Sequence, residues 1–184
     1  MSLLDIQTKE HPHFRLHVVN TAKFKTISII VYMKQLLNFQ DTTKRALLPY
    51  VLQSATEKLP SVKAIRQYLE EMYGMTLSVD LAKKGDHHII TFRADAAHEN
   101  FLLTQANTNI FEKAAELLSD VLLRPKGFQT KTFDKEIVRK EKRSLKQRIE
   151  AIYDDKMRYA NMRLIEEMFP NDPFSQTVYG SLDA

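Results

Sequence analysis

The stretch Phe24-Lys-Thr-Ile-Ser-Ile-Ile-Val-Tyr-Met33 decides the fold class, because its β-branched and aromatic residues favour a strand. Just before it, Phe14, Leu16 and Val18 alternate with polar residues, and residues 20–23 are typical of a turn. The two segments predict a hairpin over residues 14–33. Apolar side chains occur on both faces of the second segment, so we expect that strand to be central in its sheet.

Helical patterns surround a second predicted hairpin further along the chain. Helices are predicted over residues 42–55 and 61–73, then strands over 75–81 and 87–92, then helices over 109–123 and 132–168. Pro49 lies inside the first helix, where its missing N–H predicts a kink. Strands and helices do not alternate strictly in this order. The sequence therefore predicts an α+β fold with a mostly antiparallel sheet covered by helices.

Length and composition exclude several classes of protein. The chain has 184 residues, 43% apolar and 27% charged, which is ordinary for a soluble globular protein. It has no cysteine, so disulfide scaffolds and thiolate metal sites are excluded, and its four scattered glycines form no phosphate-binding loop. No apolar run approaches the roughly 18 residues needed to cross a membrane. The N-terminus is not a signal peptide, and we expect a cytoplasmic protein without a membrane partner.

The net charge of +4 is distributed unevenly along the chain. Between Arg124 and Arg148 there are ten basic and three acidic residues, which gives this segment a charge of about +7. Such a segment could bind nucleic acid or an acidic partner. Aromatic residues are few within it, which argues against nucleic acid. The favoured interpretation is a solvated helix face, and a basic nucleic-acid-binding domain is kept as a minor alternative.

The histidines are candidate metal ligands. His11, His13 and His17 lie near the N-terminus, and His87 and His88 are neighbours on a predicted strand, where they point to opposite faces. Neither group has the His-Glu-x-x-His or His-x-x-Glu-His spacing that places two histidines and a glutamate around one zinc ion. Histidines at the surface or at a sheet edge are the favoured interpretation.

Three stretches follow one another in a characteristic order. They are Ala46-Leu-Leu-Pro-Tyr-Val-Leu-Gln-Ser-Ala-Thr56 with a helix ending in Met72-Tyr-Gly-Met75, then Ile110–Pro125, then Phe133–Asp155 with Asp172-Pro-Phe174 and Tyr179-Gly180. This succession resembles the N-terminal half-domain of the insulinase-like (M16) zinc peptidases, a family that includes insulin-degrading enzyme, pitrilysin and the processing peptidases.

The resemblance implies how the chain is divided. Residues 1–13 are expected to be an N-terminal extension, and residues 14–184 are expected to form a single, incomplete N-terminal peptidase-like domain. The fold implied by the resemblance is the α+β half-domain of the processing peptidases, in agreement with the order of the predicted elements.

The resemblance also implies where the zinc site of active members falls. Active members carry His-x-x-Glu-His on the first helix, in which two histidines bind zinc and the glutamate activates the zinc-bound water. In this sequence the motif falls on Ala46-Leu-Leu-Pro49-Tyr50, and the third ligand, a distal glutamate, falls on Arg148. Glu141 retains the glutamate that the family has seven residues upstream of that ligand.

The four replacements at these positions lack the chemistry of a zinc peptidase. Ala46 has no donor atom, Pro49 has no basic side chain, and Tyr50 is a rare zinc ligand. Arg148 stays protonated and repels a cation. We hypothesise that Arg148 pairs with Glu141 or another carboxylate and so stabilises the emptied site.

The function implied by the resemblance is that of a catalytically inactive homologue of zinc processing proteases, with no cofactor, acting as a peptide-binding or non-catalytic partner subunit. Expected partners are an extended peptide or protein, including an active paralogue in a homo- or heterodimer. The resemblance places a peptide-binding edge strand at Thr76, Leu77, Ser78, Val79 and Asp80. The alternative is a zinc-dependent endopeptidase with a metal site rebuilt from residues such as His87 or His88. Whether the protein is an enzyme stays open at this point.

Overall fold

The computed structural model describes residues 5–101 and 109–182. In chain order its strands are β1 (Asp5–Glu10), β2 (Arg15–Asn20), β3 (Thr26–Leu36), β4 (Thr76–Lys84) and β5 (His87–Ala97). The α-helices are α1 (Thr42–Leu52), α2 (Val62–Glu71), α3 (Ile110–Leu123), α4 (Lys135–Asp154) and α5 (Lys156–Met168). Every strand pair is antiparallel, and helices pack on one face of the main sheet, which confirms the predicted α+β class.

The strands form a two-stranded sheet, β1-β2, and a three-stranded sheet in the order β3-β5-β4. The predicted hairpin over residues 14–33 is therefore wrong, because β2 pairs with β1 and β3 pairs with β5. Both β3 and β5 have eleven residues, and their ladder runs unbroken from Thr26 opposite Ala97 to Leu36 opposite His87. This long pairing places the inner faces of β3 and β5 side by side, so that both pack against the helices. A turn signal in the local sequence does not report such a distant partner.

The central strand of the described sheet is β5, and the prediction that β3 is central is wrong. In β5 every second side chain, from His88 to Ala96, is buried beneath the helices. On the opposite face of β3, Tyr32 is 65% exposed and Ile30 is also exposed. An antiparallel sheet can leave one face to solvent, so apolar side chains on both faces did not indicate a central strand here.

Part of the predicted N-terminal extension is a strand. Residues 5–10 form β1 and pair with β2 from Asp5 opposite Asn20 to Glu10 opposite Arg15, whereas residues 1–4 lie outside the described part of the chain. Every side chain of this hairpin is exposed.

The predicted helices α1, α2 and α3 are confirmed, together with two of their caps. The Ser61 hydroxyl accepts a hydrogen bond from the Ala64 amide at 3.1 Å, and the Asn109 carbonyl oxygen accepts one from the Glu112 amide at 2.9 Å. The α1 helix continues through Pro49, whose side chain is buried. The buried side of α1 forms one hydrophobic core with the sheet, α3 and α4. Members of this core include Ala46, Ile90, Phe92, Ile110, Leu118, Val121, Leu145 and Ile149.

The single long helix predicted over residues 132–168 is in fact two helices. The backbone leaves the helical conformation at Asp155, whose carboxylate accepts hydrogen bonds from the Met157 and Arg158 amides at 3.1 Å each and caps α5. An aspartate is among the best N-cap residues, so it stabilises a new start at this point. After the break Met157, in the first turn of α5, is 81% exposed.

The segment after α5 returns to the sheet. The Lys83 ammonium, on β4, donates hydrogen bonds of 2.6 Å to the carbonyls of Phe174 and Gln176. The Ser181 amide donates one of 3.1 Å to the Thr43 hydroxyl on α1. These hydrogen bonds connect residues 173–181 to both β4 and α1.

His88 is the cross-strand neighbour of Lys83 and is buried beneath this segment. It is only 1% exposed, and neither ring nitrogen has a hydrogen-bond partner in the described part of the chain. Burial, together with the charges of Arg45 and Lys83, lowers the pKa of His88 below its ordinary value of 6.5. The backbone of Val178 partly opposes this shift, but no hydrogen bond of normal geometry reaches the ring.

We therefore expect the folded protein to keep His88 neutral and to lose stability in mild acid. The unfolded chain takes up a proton on this imidazole as the pH falls through about 6.5, while the folded chain resists it, so the free energy of unfolding decreases by at most about 1.4 kcal/mol per pH unit. Urea unfolding between about pH 7.5 and pH 5.5 measures this slope. The His88→Leu variant should have a shallower slope, and His87→Leu, on the opposite face, should keep that of the wild type. An unchanged slope in His88→Leu would contradict the assignment.

Candidate functional site

The helices α1 and α4 pack against each other, and the residues predicted to replace the zinc ligands meet at their junction. The guanidinium carbon of Arg148, from α4, lies 3.8 Å from the centroid of the Tyr50 ring, from α1. Leu145 and Ile149 of α4 are buried in the core around this contact. The structure thus brings two of the four predicted replacement positions into direct contact, although they are far apart in the sequence.

The other two replacement positions belong to the buried part of α1. Ala46 and Tyr50 are one helical turn apart, so they share a face, and they are 0% and 8% exposed. Pro49 lies beside them and is also buried. The tyrosine hydroxyl is the one polar side-chain group among these three residues.

This set of residues does not fit a zinc ion. Zinc in proteins takes histidine nitrogens, carboxylate oxygens or thiolates, and the junction offers a methyl group, a pyrrolidine ring, a phenol and a guanidinium. In residues 5–101 and 109–182, no group of three or more His, Asp or Glu side chains is placed to hold a metal. A zinc-dependent step therefore has no support from the residues at this junction.

Electrostatics keep the Tyr50 phenol protonated. Burial raises its pKa above the ordinary value of 10.0, the charge of Arg148 opposes that shift, and the charges of Tyr179 and Asp80 add to it. A neutral ring presents the negative face of its quadrupole to the guanidinium, which is the geometry of a cation–π interaction. The contact is thus a stable pairing of a neutral aromatic ring with a cation.

Glu141 has a different partner from the one predicted. Its carboxylate lies 3.1 Å from the Ser54 hydroxyl and shares that hydroxyl's single proton with the Tyr50 carbonyl, which lies 2.8 Å away. Among the described residues no carboxylate forms an ion pair with Arg148, so the hypothesised pairing with Glu141 is not present in the structure. The aromatic ring of Tyr50 occupies the place next to the guanidinium instead.

The predicted peptide-binding residues lie on a sheet edge. Thr76–Asp80 belong to β4, which pairs with β5 on one side and has no strand on its other side in the described sheet. Leu77 and Val79 point towards the helices and are half-buried, while the residues that alternate with them are exposed. Strand β4 contacts α1, so this edge lies beside the helix that carries Tyr50. Peptide binding at this edge stays a prediction.

The candidate histidine ligands do not converge. His87 and His88 lie on opposite faces of β5, and His88 is enclosed between the sheet and residues 173–181. At the other end of the chain, His11 stacks on Phe14 at 4.5 Å and His17 contacts the Thr8 hydroxyl at 3.0 Å. The exposed His11 and His17 agree with the favoured interpretation of histidines at the surface or at a sheet edge. His88 contradicts it, because it is buried on the central strand β5.

The Arg148–Tyr50 contact predicts an energetic coupling between α1 and α4. A cation–π pair of this exposure is worth about 0.5–2 kcal/mol, so Arg148→Met should destabilise the wild type more than it destabilises a Tyr50→Leu background. Tyr50→Phe keeps the ring and should keep the coupling. Urea unfolding of the single and double variants measures it as the departure from additivity. Additive effects in the Tyr50→Leu cycle would show that the contact contributes nothing.

Comparisons with known proteins support the resemblance. No family model matches the chain. It is 44% identical over 183 residues to YmfF of Bacillus subtilis (strain 168), which is named a probable inactive metalloprotease. The match spans 100% of this chain and 42% of that protein, so the chain covers less than half of its relative's length.

Two solved structures have the same fold. A conserved protein from Enterococcus faecalis V583 has a TM-score of 0.82 and 25% identity, over 92% of this chain and 39% of its own. The peptidase M16 inactive domain from Pseudomonas fluorescens has a TM-score of 0.69 over 98% of this chain and 40% of its own. At 16% identity the second likeness shows the fold alone.

The similarities in sequence and in fold therefore agree with the resemblance that the order of the motifs indicates. The chain matches a metalloprotease homologue in sequence along its whole length, and it has the fold of an M16 domain. The chain is therefore similar in sequence to a probable inactive metalloprotease and has the fold of a peptidase M16 inactive domain.

Proposed function

We propose that this protein is a catalytically inactive homologue of the zinc processing proteases, which binds an extended peptide or a protein partner without cleaving it. The observation that carries the proposal is the Arg148 guanidinium on the Tyr50 ring, at the junction of the two helices that hold zinc in active members. A permanent cation at that junction disfavours a metal ion, and Pro49 supplies no general base. Two of the similar proteins carry the word inactive in their names, which supports the same proposal.

Peptide binding at the edge of β4 is the second part of the proposal. An extended peptide can add to a sheet edge through main-chain hydrogen bonds, which need no catalytic side chain. The residues Thr76–Asp80 lie on such an edge, and they lie near the junction of α1 and α4. A peptide on this edge would therefore reach the position where active members cleave.

The third part of the proposal is that another protein binds this chain. That partner is an active M16 paralogue or a second copy of this chain. Exposed apolar side chains on the β1-β2 hairpin and on α5 support an interface, among them Ile6, Leu16, Val18, Val19, Met157, Leu164 and Met168. None of the described helices is long and apolar enough to cross a membrane. The proposed location, the cytoplasm, rests on the sequence alone.

We expect the purified protein to hold no stoichiometric zinc and to show no chelator-sensitive cleavage of a quenched peptide mixture. The matched comparison is the fourfold variant Ala46→His, Pro49→Glu, Tyr50→His and Arg148→Glu, which rebuilds the ligand set and the base of an active member. That variant should gain zinc, measured by elemental analysis, if its circular dichroism shows that it is folded. Stoichiometric zinc and chelator-sensitive cleavage in the wild type would overturn the proposal, whatever the fate of the variant.

A further inference from the structure

The positive charge of Arg148 has a fixed position and no carboxylate counter-charge among the described residues. Its guanidinium packs on Tyr50, and no carboxylate of the described residues pairs with it. The guanidinium has five N–H donors in one plane, and the Tyr50 hydroxyl can accept from one of them at most. The remaining donors form the fork that matches the two oxygens of a carboxylate.

The surroundings of Arg148 favour an anion. The segment from Arg124 to Arg148 carries a charge of about +7, and Arg148 itself is half-buried, where solvent screens a charge less than at the open surface. Two acidic groups come from neighbouring elements. Glu141 contacts the Ser54 hydroxyl, and Asp80 lies on the exposed side of β4, and neither forms an ion pair with the guanidinium.

We propose that Arg148 binds a carboxylate of the peptide, either an Asp or Glu side chain or the C-terminal carboxylate, at the position where active members bind zinc. The inference rests on the proposed function, since it assumes a peptide on the edge of β4. The Tyr50 ring already restricts the arginine side chain, so less conformational entropy is lost when the carboxylate binds. A bidentate pair then forms without a movement of α1 or α4.

Three labelled peptides test the proposal by fluorescence polarisation with the purified protein. All share a Val-x-Val-x-Val pattern: one has Glu at x and an amidated end, one has Gln and an amidated end, and one has Gln and a free C-terminal carboxylate. We expect one of the two carboxylate peptides to bind about tenfold more tightly than the neutral peptide, as expected for one charge-assisted hydrogen-bonded pair. Which of the two does so identifies the source of the carboxylate.

The variants separate Arg148 from the general charge of α4. Arg148→Met should abolish the advantage of the carboxylate peptide, and Lys146→Met should keep it, since Lys146 is an exposed cation on the same helix. Arg148→Lys keeps the charge without the fork and should lose most of the advantage. This variant decides the question if Arg148→Met fails to fold.

Two results would overturn the inference. If the carboxylate advantage survives in both Arg148 variants, the basic surface of α4 attracts the peptide and Arg148 is not its site. If all three peptides bind equally tightly, carboxylate recognition is wrong, while peptide binding, and with it the proposed function, stands. Binding of none of the peptides would overturn the inference together with the peptide-binding part of the proposed function.

Discussion

The packing of the Arg148 guanidinium on the Tyr50 ring is the contact on which the junction of α1 and α4 depends. A half-buried charge is costly unless another group stabilises it, and here the electron-rich face of the ring does so. The Tyr50 ring also forms part of the buried face of α1, one turn after Ala46. The two residues thus form a contact that joins the two helices.

The rest of the fold places this junction beside a sheet edge. The central strand β5 carries the buried face on which the helices pack, and β4 lies at the edge closest to Tyr50. Residues 173–181 bind Lys83 on the strand and Thr43 on the helix, so they hold β4 and α1 together. An extended peptide can add to such an edge through main-chain hydrogen bonds, which is the basis of the proposed peptide binding.

Much of the fold was predictable because its signals are local. Caps at Ser61 and Asn109 and the alternation in β5 mark the elements that were predicted correctly. The errors concern long-range choices. Strand β3 pairs with β5, where the hydrogen bond between the Ser28 and Asp95 side chains joins residues 67 positions apart, and no turn signal reports such a partner. At the site, the resemblance identified Arg148, but its contact with Tyr50 was missed because charge pairing was considered and aromatic stacking was not.

The most direct test of a metal-free junction is thermal unfolding of the wild type in excess chelator and in excess zinc. A ligand that binds the folded state raises its stability by about 2.7 kcal/mol when present at 100 times its dissociation constant, so a true zinc site shifts the Tm with metal concentration. We predict that the unfolding curves in chelator and in zinc coincide. A Tm that falls in chelator and rises with added zinc would contradict the account.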